Sequence, residues 1–450
     1  GTPRREKIIE LLIFLLALFS FSYVFNPDPA DNVLNRLNLA YSVVYDGTLT
    51  IDNYADNTID KAFYDGHYYN SEAIGSVIPA AAILAVYRFV SGDGEADPYN
   101  SVPLYLITLF VVSIPSAVLA VLFFRYLGTH SADLFSRAGA ALAFSLATLV
   151  HPYSTLFYSY MPALLLCFGA FMIIERGLRG NGFTPRSLYA AGFMLSYAAI
   201  TSFDTAALVV PLSVYLLSRM KDRPRFAWLV AGAVIPAAMM LLYNYLCFDS
   251  PFSFGMFHLV NEEWRGEMLD DSFYFHLPPA AQLYSITFQS GRGLFWVCPV
   301  LALCFPGFAA MFRKRELRPL LLLTVTSFFL FVYFVSVFTD PMGGNTPGPR
   351  HLISSIPLLC VAVFFFVDRG GAFRRALFCA LGVLSWFYMA ATTLTGPHVP
   401  TDVKSPFFSF TKPMLEYGYT MPNAGRALGL GGAASLVPYA VGVGVLFVCI

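Results

Sequence analysis

Carboxylates crowd one stretch of this sequence. Asp31, Asp52, Asp56, Asp60, Asp65 and Glu72 all fall within residues 26–102. A positioned carboxylate is a competent proton acceptor for a hydroxyl nucleophile. Guanidinium groups suited to anions stand in two glycine-rich contexts: Arg292 within SGRGLFW, and Arg350 directly after GGNTPGP and before His351. Each feature also has a plainer reading. Asp31 follows Pro29 and suits a helix N-cap, Asp60 and Asp65 suit turns, and both arginines suit snorkelling at a membrane interface. His67, within YDGHYY, suits packing or hydrogen bonding inside its turn. The histidines show no HxH or HExxH spacing, so no zinc centre is expected. The seven cysteines lie in or beside apolar runs with no CxxC pair and read as small buried hydrophobes.

The elements that must position these groups are apolar helices. The chain is 57% hydrophobic and 12% charged, far below the roughly 25% charge usual for soluble domains. Apolar runs of about 20 residues recur from end to end, the length that crosses a bilayer core. The pattern predicts an all-α integral membrane protein of about 12 spans. They fall at 8–25, 103–126, 135–150, 157–175, 188–203, 204–219, 226–247, 292–312, 319–338, 351–368, 375–395 and 431–450. The first run is followed by Phe-Asn-Pro-Asp, not by small residues, and so reads as a span, not a cleaved signal peptide. With no internal repeat visible, residues 1–450 read as a single polytopic membrane domain carrying loop insertions. A net charge of +0 argues against a nucleic-acid partner.

Charge also orients the chain. Residues 74–90 are apolar but short, and Pro79 and Arg88 interrupt them. If this stretch lies along the interface and does not cross, most of the 28 basic residues face one side, which the positive-inside rule makes cytoplasmic. The long loops 26–102, 248–291 and 396–430, and the short one 339–350, then face away from the cytoplasm, and the histidines other than His130 go with them. Within the first loop, Val33/Leu34, Leu37, Ala40/Tyr41 and Val44 recur at helical spacing. Residues 31–45 therefore predict an amphipathic helix on the bilayer surface, followed by a turn and short extended piece at DGTLTIDNY. Two juxtamembrane helices would then bracket a carboxylate-rich loop. Span interiors nearly free of charge count against an ion-coupled transporter.

The run DGTLTID followed by DKAFYDGHYYNSEAIG resembles the first external loop of bacterial GT-C membrane glycosyltransferases, the group that includes protein mannosyltransferases and the aminoarabinose transferase of lipid A. HPYSTLFYSYMPALLL, SPFSFG, SGRGLFWVCPVL and GGNTPGPRHLISSIPLL agree with that group in the same order along most of the chain. The resemblance implies transfer of a sugar from a polyprenyl-phosphate carrier to an acceptor hydroxyl of a lipid, glycan or protein. It further implies a bacterial cytoplasmic membrane, an active site on the outer side, inversion at the anomeric carbon, and no cofactor or obligatory metal. The base would be Asp31, at the head of the first external helix, with Asp60 and Asp65 as alternatives. The donor phosphate would meet Arg350, His351, Arg292, Arg265 or Lys61. Glu72, where the family carries a lysine, adds a carboxylate beside the donor, with His67, Tyr68 and Tyr69 nearby. Trp264, Tyr274 and Phe275 in the 248–291 loop would cover a bound carrier. Two other classes share this architecture: a lipid-linked oligosaccharide ligase or polymerase, and a lipid-sugar flippase without chemistry.

The orientation has a direct test. Cysteines placed at Gly94 and Asn345 should react with a membrane-impermeant thiol reagent added from outside, while one at Gly180 stays protected. Protection of Gly94 with Asn345 reactive would make 74–90 a crossing segment.

Overall fold

The computed structural model describes residues 3–450 other than 28, 93, 181 and 271–276. It is a multi-pass, helical membrane protein. Seven helices among the described residues are long and apolar enough to cross a bilayer: Ser101–Gly128, Tyr160–Arg179, Arg223–Phe248, Arg315–Ser336, Arg350–Val367, Ala372–Thr395 and Gly432–Cys449. The other stretches expected to cross also fold as helices. Helix α1 (Pro3–Ser22) opens on Arg4, Arg5, Glu6 and Lys7, whereas Leu134–Leu146, Pro185–Thr201, Ala206–Arg219 and Pro299–Arg313 are shorter than the roughly 20 residues a straight crossing needs.

The chain, expected as one membrane domain, divides into two compact units. One comprises Pro27–Val112 and Phe157–His276; the other comprises Gly1–Asn26, Ser113–Leu156 and Leu277–Ile450. In the first, the loop after α1 carries α2 (Asp31–Tyr41) and α3 (Val77–Ser91), the two expected juxtamembrane helices. At 15 residues α3 reaches only about 22 Å, short of the roughly 30 Å hydrocarbon core. Phe89 and Val90 near its end are among the most exposed apolar side chains.

Two local expectations change. Helix α2 is not amphipathic in its surroundings, since every residue from Val33 to Tyr41 is buried, including Asn35, Arg36 and Asn38. Its polar side faces the folded loop and not water. The stretch at DGTLTIDNY forms no strand; a π-helical turn closes α2 at Ser42–Asp46, and Asp52–Asn57 is 3-10 helix. The extended pieces come later, as the antiparallel hairpin β1 (Lys61–Tyr64) and β2 (His67–Asn70), a small exception in an all-α chain. Asp65 and Gly66 at its tip both have positive φ, 47° and 83°, as a two-residue type I′ turn requires. Val260 then donates to the Lys61 carbonyl at 2.9 Å, covering the free edge of β1.

Glycine sets the tightest helix contact of this unit. Helices Pro185–Thr201 and Phe226–Phe248 face each other through Gly192 and Gly232. A Cβ on Gly192 would run into the Leu229 carbonyl oxygen, and one on Gly232 into that of Tyr189. Ser196 Oγ donates to the Ala233 carbonyl at 2.9 Å along the same seam. Small residues let backbones approach where lipid removes the hydrophobic drive for helix association.

In the second unit the span Arg350–Val367 is the most enclosed, with every side chain of Ile356–Val367 buried. Ion pairs pin the start of α1 to its neighbours: Arg125 to Glu10 through two bonds of 2.9 and 2.7 Å, and Arg137 to Glu6 at 3.0 Å. Asp133 joins Arg375 at 2.8 Å, tying Ala372–Thr395 to the head of Leu134–Leu146.

The glycine seam predicts that Gly192→Ala lowers stability by about 1–3 kcal/mol, the usual cost of overpacking, and Gly192→Ile by more. Gly382→Ala, with nothing near its Cβ position, should melt like wild type in the same detergent.

Candidate functional site

Helix α2 organises the polar chemistry of the first unit. Asparagines at 32, 35 and 38 recur every three residues along one side, and each reaches a different part of the loop. Asn38 and Asn57 exchange two amide hydrogen bonds, at 2.8 and 3.0 Å, and Asn38 also donates to the Tyr54 carbonyl. Asn35 donates to Ser71 Oγ at 2.8 Å. Asn32 donates to one carboxylate oxygen of Glu72.

Arg36 is the centre of the cluster. Its side chain is 3% exposed, yet it carries a charge. One terminal nitrogen donates to the Asn32 carbonyl at 2.9 Å and to its side-chain oxygen; the other donates to Glu72 Oε2 at 2.8 Å and to Ser159 Oγ at 3.2 Å. A buried guanidinium is tolerable only when paired and hydrogen-bonded in this way. Both oxygens of Glu72 are engaged, one by Asn32 and one by Arg36, so this carboxylate serves first as the counter-ion.

Asp31 is differently placed. It is the first residue of α2; the N-cap is Ala30, so the capping expected of Asp31 does not occur. Its Oδ1 accepts from the Ile59 N–H at 3.0 Å, and its carbonyl accepts from Thr58 Oγ1. No other bond to the carboxylate exists among the described residues. The side chain is half-buried at the head of the helix.

The remaining loop candidates are spread out. Asp60 contributes its carbonyl to Ser71 Oγ at 3.1 Å, and Asp65 sits exposed at the hairpin tip. Lys61 donates to the Ala55 carbonyl at 2.5 Å and lies over the Tyr68 ring. His67 pairs with Asp52 at 2.7 Å, a partner outside its own turn, and the Tyr68 N–H donates to the other oxygen of Asp52. Tyr69 is buried edge-on to Phe248. His258 stacks on Phe248 at 4.9 Å and bonds Ser253 Oγ at 2.7 Å. Burial, and then the charge of Arg265, hold its imidazole below the usual histidine range. Arg265 itself pairs with exposed Glu262. Tyr274, Phe275 and His276 lie outside the described residues.

A second cluster occupies the GGNTPGPRH loop of the other unit. Asp340 caps its turn, accepting from the backbone N–H groups of Met342 at 3.2 Å and Gly344 at 2.5 Å. Gly343 adopts φ +82°, and a Cβ there would stand 2.6 Å from both Arg350 Nε and His351 Nε2. The bare backbone of Gly343 thus packs against both side chains, and only glycine fits. Phe338 stacks on the His351 ring at 6.2 Å. Arg292 is committed elsewhere: it donates to the carbonyls of Thr346 at 2.7 Å, Val403 at 2.9 Å and Pro400. With Tyr153 on Thr346 Oγ1 at 2.7 Å, it clamps the loop that presents Arg350.

Sequence reasoning missed Arg36 and Asn32 as the core of the first cluster. The available signal was their i, i+4 spacing on one helix, with a lone acidic residue, Glu72, ahead of the next helix.

No protein-family model matches the sequence, and no curated protein matches it. Solved structures do share its fold. The crystal structure of ArnT from Cupriavidus metallidurans in the apo state aligns with TM-score 0.53 and 15% identity over 100% of this chain and 76% of that one. The structure of the same protein bound to undecaprenyl phosphate aligns with TM-score 0.51 and 13% identity over 99% and 76%. At that identity the likeness is one of fold.

The buried pair predicts an asymmetry. Glu72→Ala strands the Arg36 charge and should cost about 3 kcal/mol or more. The double variant Arg36→Met/Glu72→Met should recover much of that loss in a detergent melt; equal melting of single and double variants would mean the pair is not coupled.

Proposed function

We propose that this protein moves a sugar from a polyprenyl-phosphate carrier to an acceptor hydroxyl at the non-cytoplasmic face of a bacterial cytoplasmic membrane. The observation that carries the reading is the agreement of fold, over the whole chain, with a protein solved holding undecaprenyl phosphate. The first-loop cluster supplies the chemistry such a transfer needs.

An acceptor hydroxyl is a weak nucleophile and must shed its proton as it attacks. Asp31 is the base in this reading, because its carboxylate keeps an oxygen uncommitted while Glu72 is held by Arg36 and Asn32. The acceptor oxygen attacks the anomeric carbon, its proton passes to Asp31, and the bond to the carrier phosphate breaks on the opposite face. Inversion follows from that single displacement. The departing phosphate carries negative charge and calls for a fixed cation. Within their own unit, Arg350 and His351 are the candidates for holding a phosphate, and Arg292 acts through the loop it clamps. Arg36 and Glu72 are positioning residues that hold α2 and residue 72 in register.

Purified protein given a panel of radiolabelled polyprenyl-phosphate sugars and membrane extract should transfer label from one of them. Asp31→Asn should cut turnover by 10²–10⁴, the usual loss of a general base, with donor affinity near wild type. Arg350→Ala should abolish turnover and weaken donor binding, and Arg350→Lys should restore little, since a point charge does not replace a planar fork. More than about a tenth of wild-type turnover in Asp31→Asn, short of a general-base loss, would move the base to Asp60, Asp65 or Glu72. A product with the donor's anomeric configuration would end the single-displacement mechanism.

A further inference from the structure

At the far end of the enclosed span Arg350–Val367, two short connections carry a cluster of cations. Arg313, Lys314, Arg315 and Arg318 belong to the turn that leads into the span Arg315–Ser336. Arg369 and Arg374 belong to the link into the span Ala372–Thr395. All six side chains are exposed, and none makes an ion pair among the described residues. The acidic residues in these connections are Glu316, which is exposed, and Asp368, which is half-buried. Six cations against two carboxylates leave a marked positive surplus.

Three of these cations are held in place by aromatic rings: the Arg318 guanidinium lies 4.8 Å from the ring centre of Phe312, and two others sit against the end of the enclosed span. Lys314 Nζ lies 5.7 Å from the ring centre of Phe365, and the Arg374 guanidinium lies 5.5 Å from that of Phe366. Phe365 and Phe366 are consecutive in a helix, so their side chains diverge by about 100°. The last turn of the span therefore props one cation on each of two neighbouring sides. Cation–π contact costs these residues freedom in advance and leaves their N–H donors available. Exposed apolar rings accompany them: Phe312 is 60% and Phe373 77% exposed. The enclosed span has 18 residues, six of 3-10 helix and twelve of α-helix, about 30 Å in all, which matches the hydrocarbon core and sets its ends at headgroup depth.

We propose that this cluster is a binding site for an anionic phospholipid, the headgroup phosphate lying against Lys314 and Arg374 and the chains against Phe312 and Phe373. Surplus charge alone would attract any anionic surface. Two pre-oriented cations beside apolar rings at the depth where a phosphodiester meets its acyl chains match one headgroup in particular geometry. The site is independent of the proposed transfer reaction.

Native mass spectrometry of the full chain in detergent, titrated with phosphatidylglycerol or phosphatidylcholine, tests this. Wild type should retain phosphatidylglycerol at least ten-fold better than phosphatidylcholine. Lys314→Ala/Arg374→Ala should erase that preference with an unchanged melting temperature, whereas Arg186→Ala, an exposed arginine elsewhere, should keep it. Lys314→Gln/Arg374→Gln should behave as the alanine pair does. Equal retention of the two lipids by wild type, undiminished phosphatidylglycerol binding in both double variants, or full displacement of the lipid by millimolar inorganic phosphate would each overturn the proposal.

Discussion

A charged guanidinium with 3% of its surface exposed is the constraint around which the first loop is built. Desolvating Arg36 is costly unless its donors are answered, and the answers come from residues far apart in the chain: Asn32 one turn back, Glu72 across the loop and Ser159 at the head of a span. Once Arg36 is buried, the segment ending at Glu72 cannot drift. The same face of α2 fixes Asn57 through Asn38 and Ser71 through Asn35. Just beyond Glu72 the Gly75 N–H meets the Ile200 carbonyl at 2.7 Å and its carbonyl accepts from Tyr197, which fastens this part of the loop to the helix Pro185–Thr201.

The second cluster uses a different device. There the loop is ordered by backbone acceptors and a glycine, not by a counter-ion. Each of the three nitrogens of Arg292 donates to a backbone carbonyl, while Gly343 yields the space that Arg350 and His351 fill. Two arginines in glycine-rich turns look alike as sequence. One is structural support and the other is what the support presents.

That contrast also marks what was legible beforehand. Apolar runs located the helices, because lipid demands length and hydrophobicity that nothing else in a sequence imitates. The helix α3 followed from its apolar run, and its 15 residues match the shortness of that run. The surroundings of α2 did not follow, because periodicity reports which residues are polar and not whether water or folded protein meets them. The hairpin was hidden for a similar reason: four-residue strands around Asp65-Gly66 give too short an alternation to stand out, although the turn dipeptide was in plain view. Arg36 carried a weak signal, since its burial is decided by Glu72 and Ser159, both remote in sequence. Charge partners of this kind are tertiary facts.

The seam between Gly192 and Gly232 has a thermal consequence. Two helices that meet backbone to backbone in lipid gain dispersion contacts and shed acyl chains, but they withdraw almost no apolar surface from water. The large heat-capacity change that accompanies burial from water is therefore absent from this contact. Its strength has no reason to fade on cooling, as a water-driven core does. The helix pair Pro185–Thr201 and Phe226–Phe248 is thus a joint whose grip owes little to water, the contribution whose low-temperature weakening limits soluble folds.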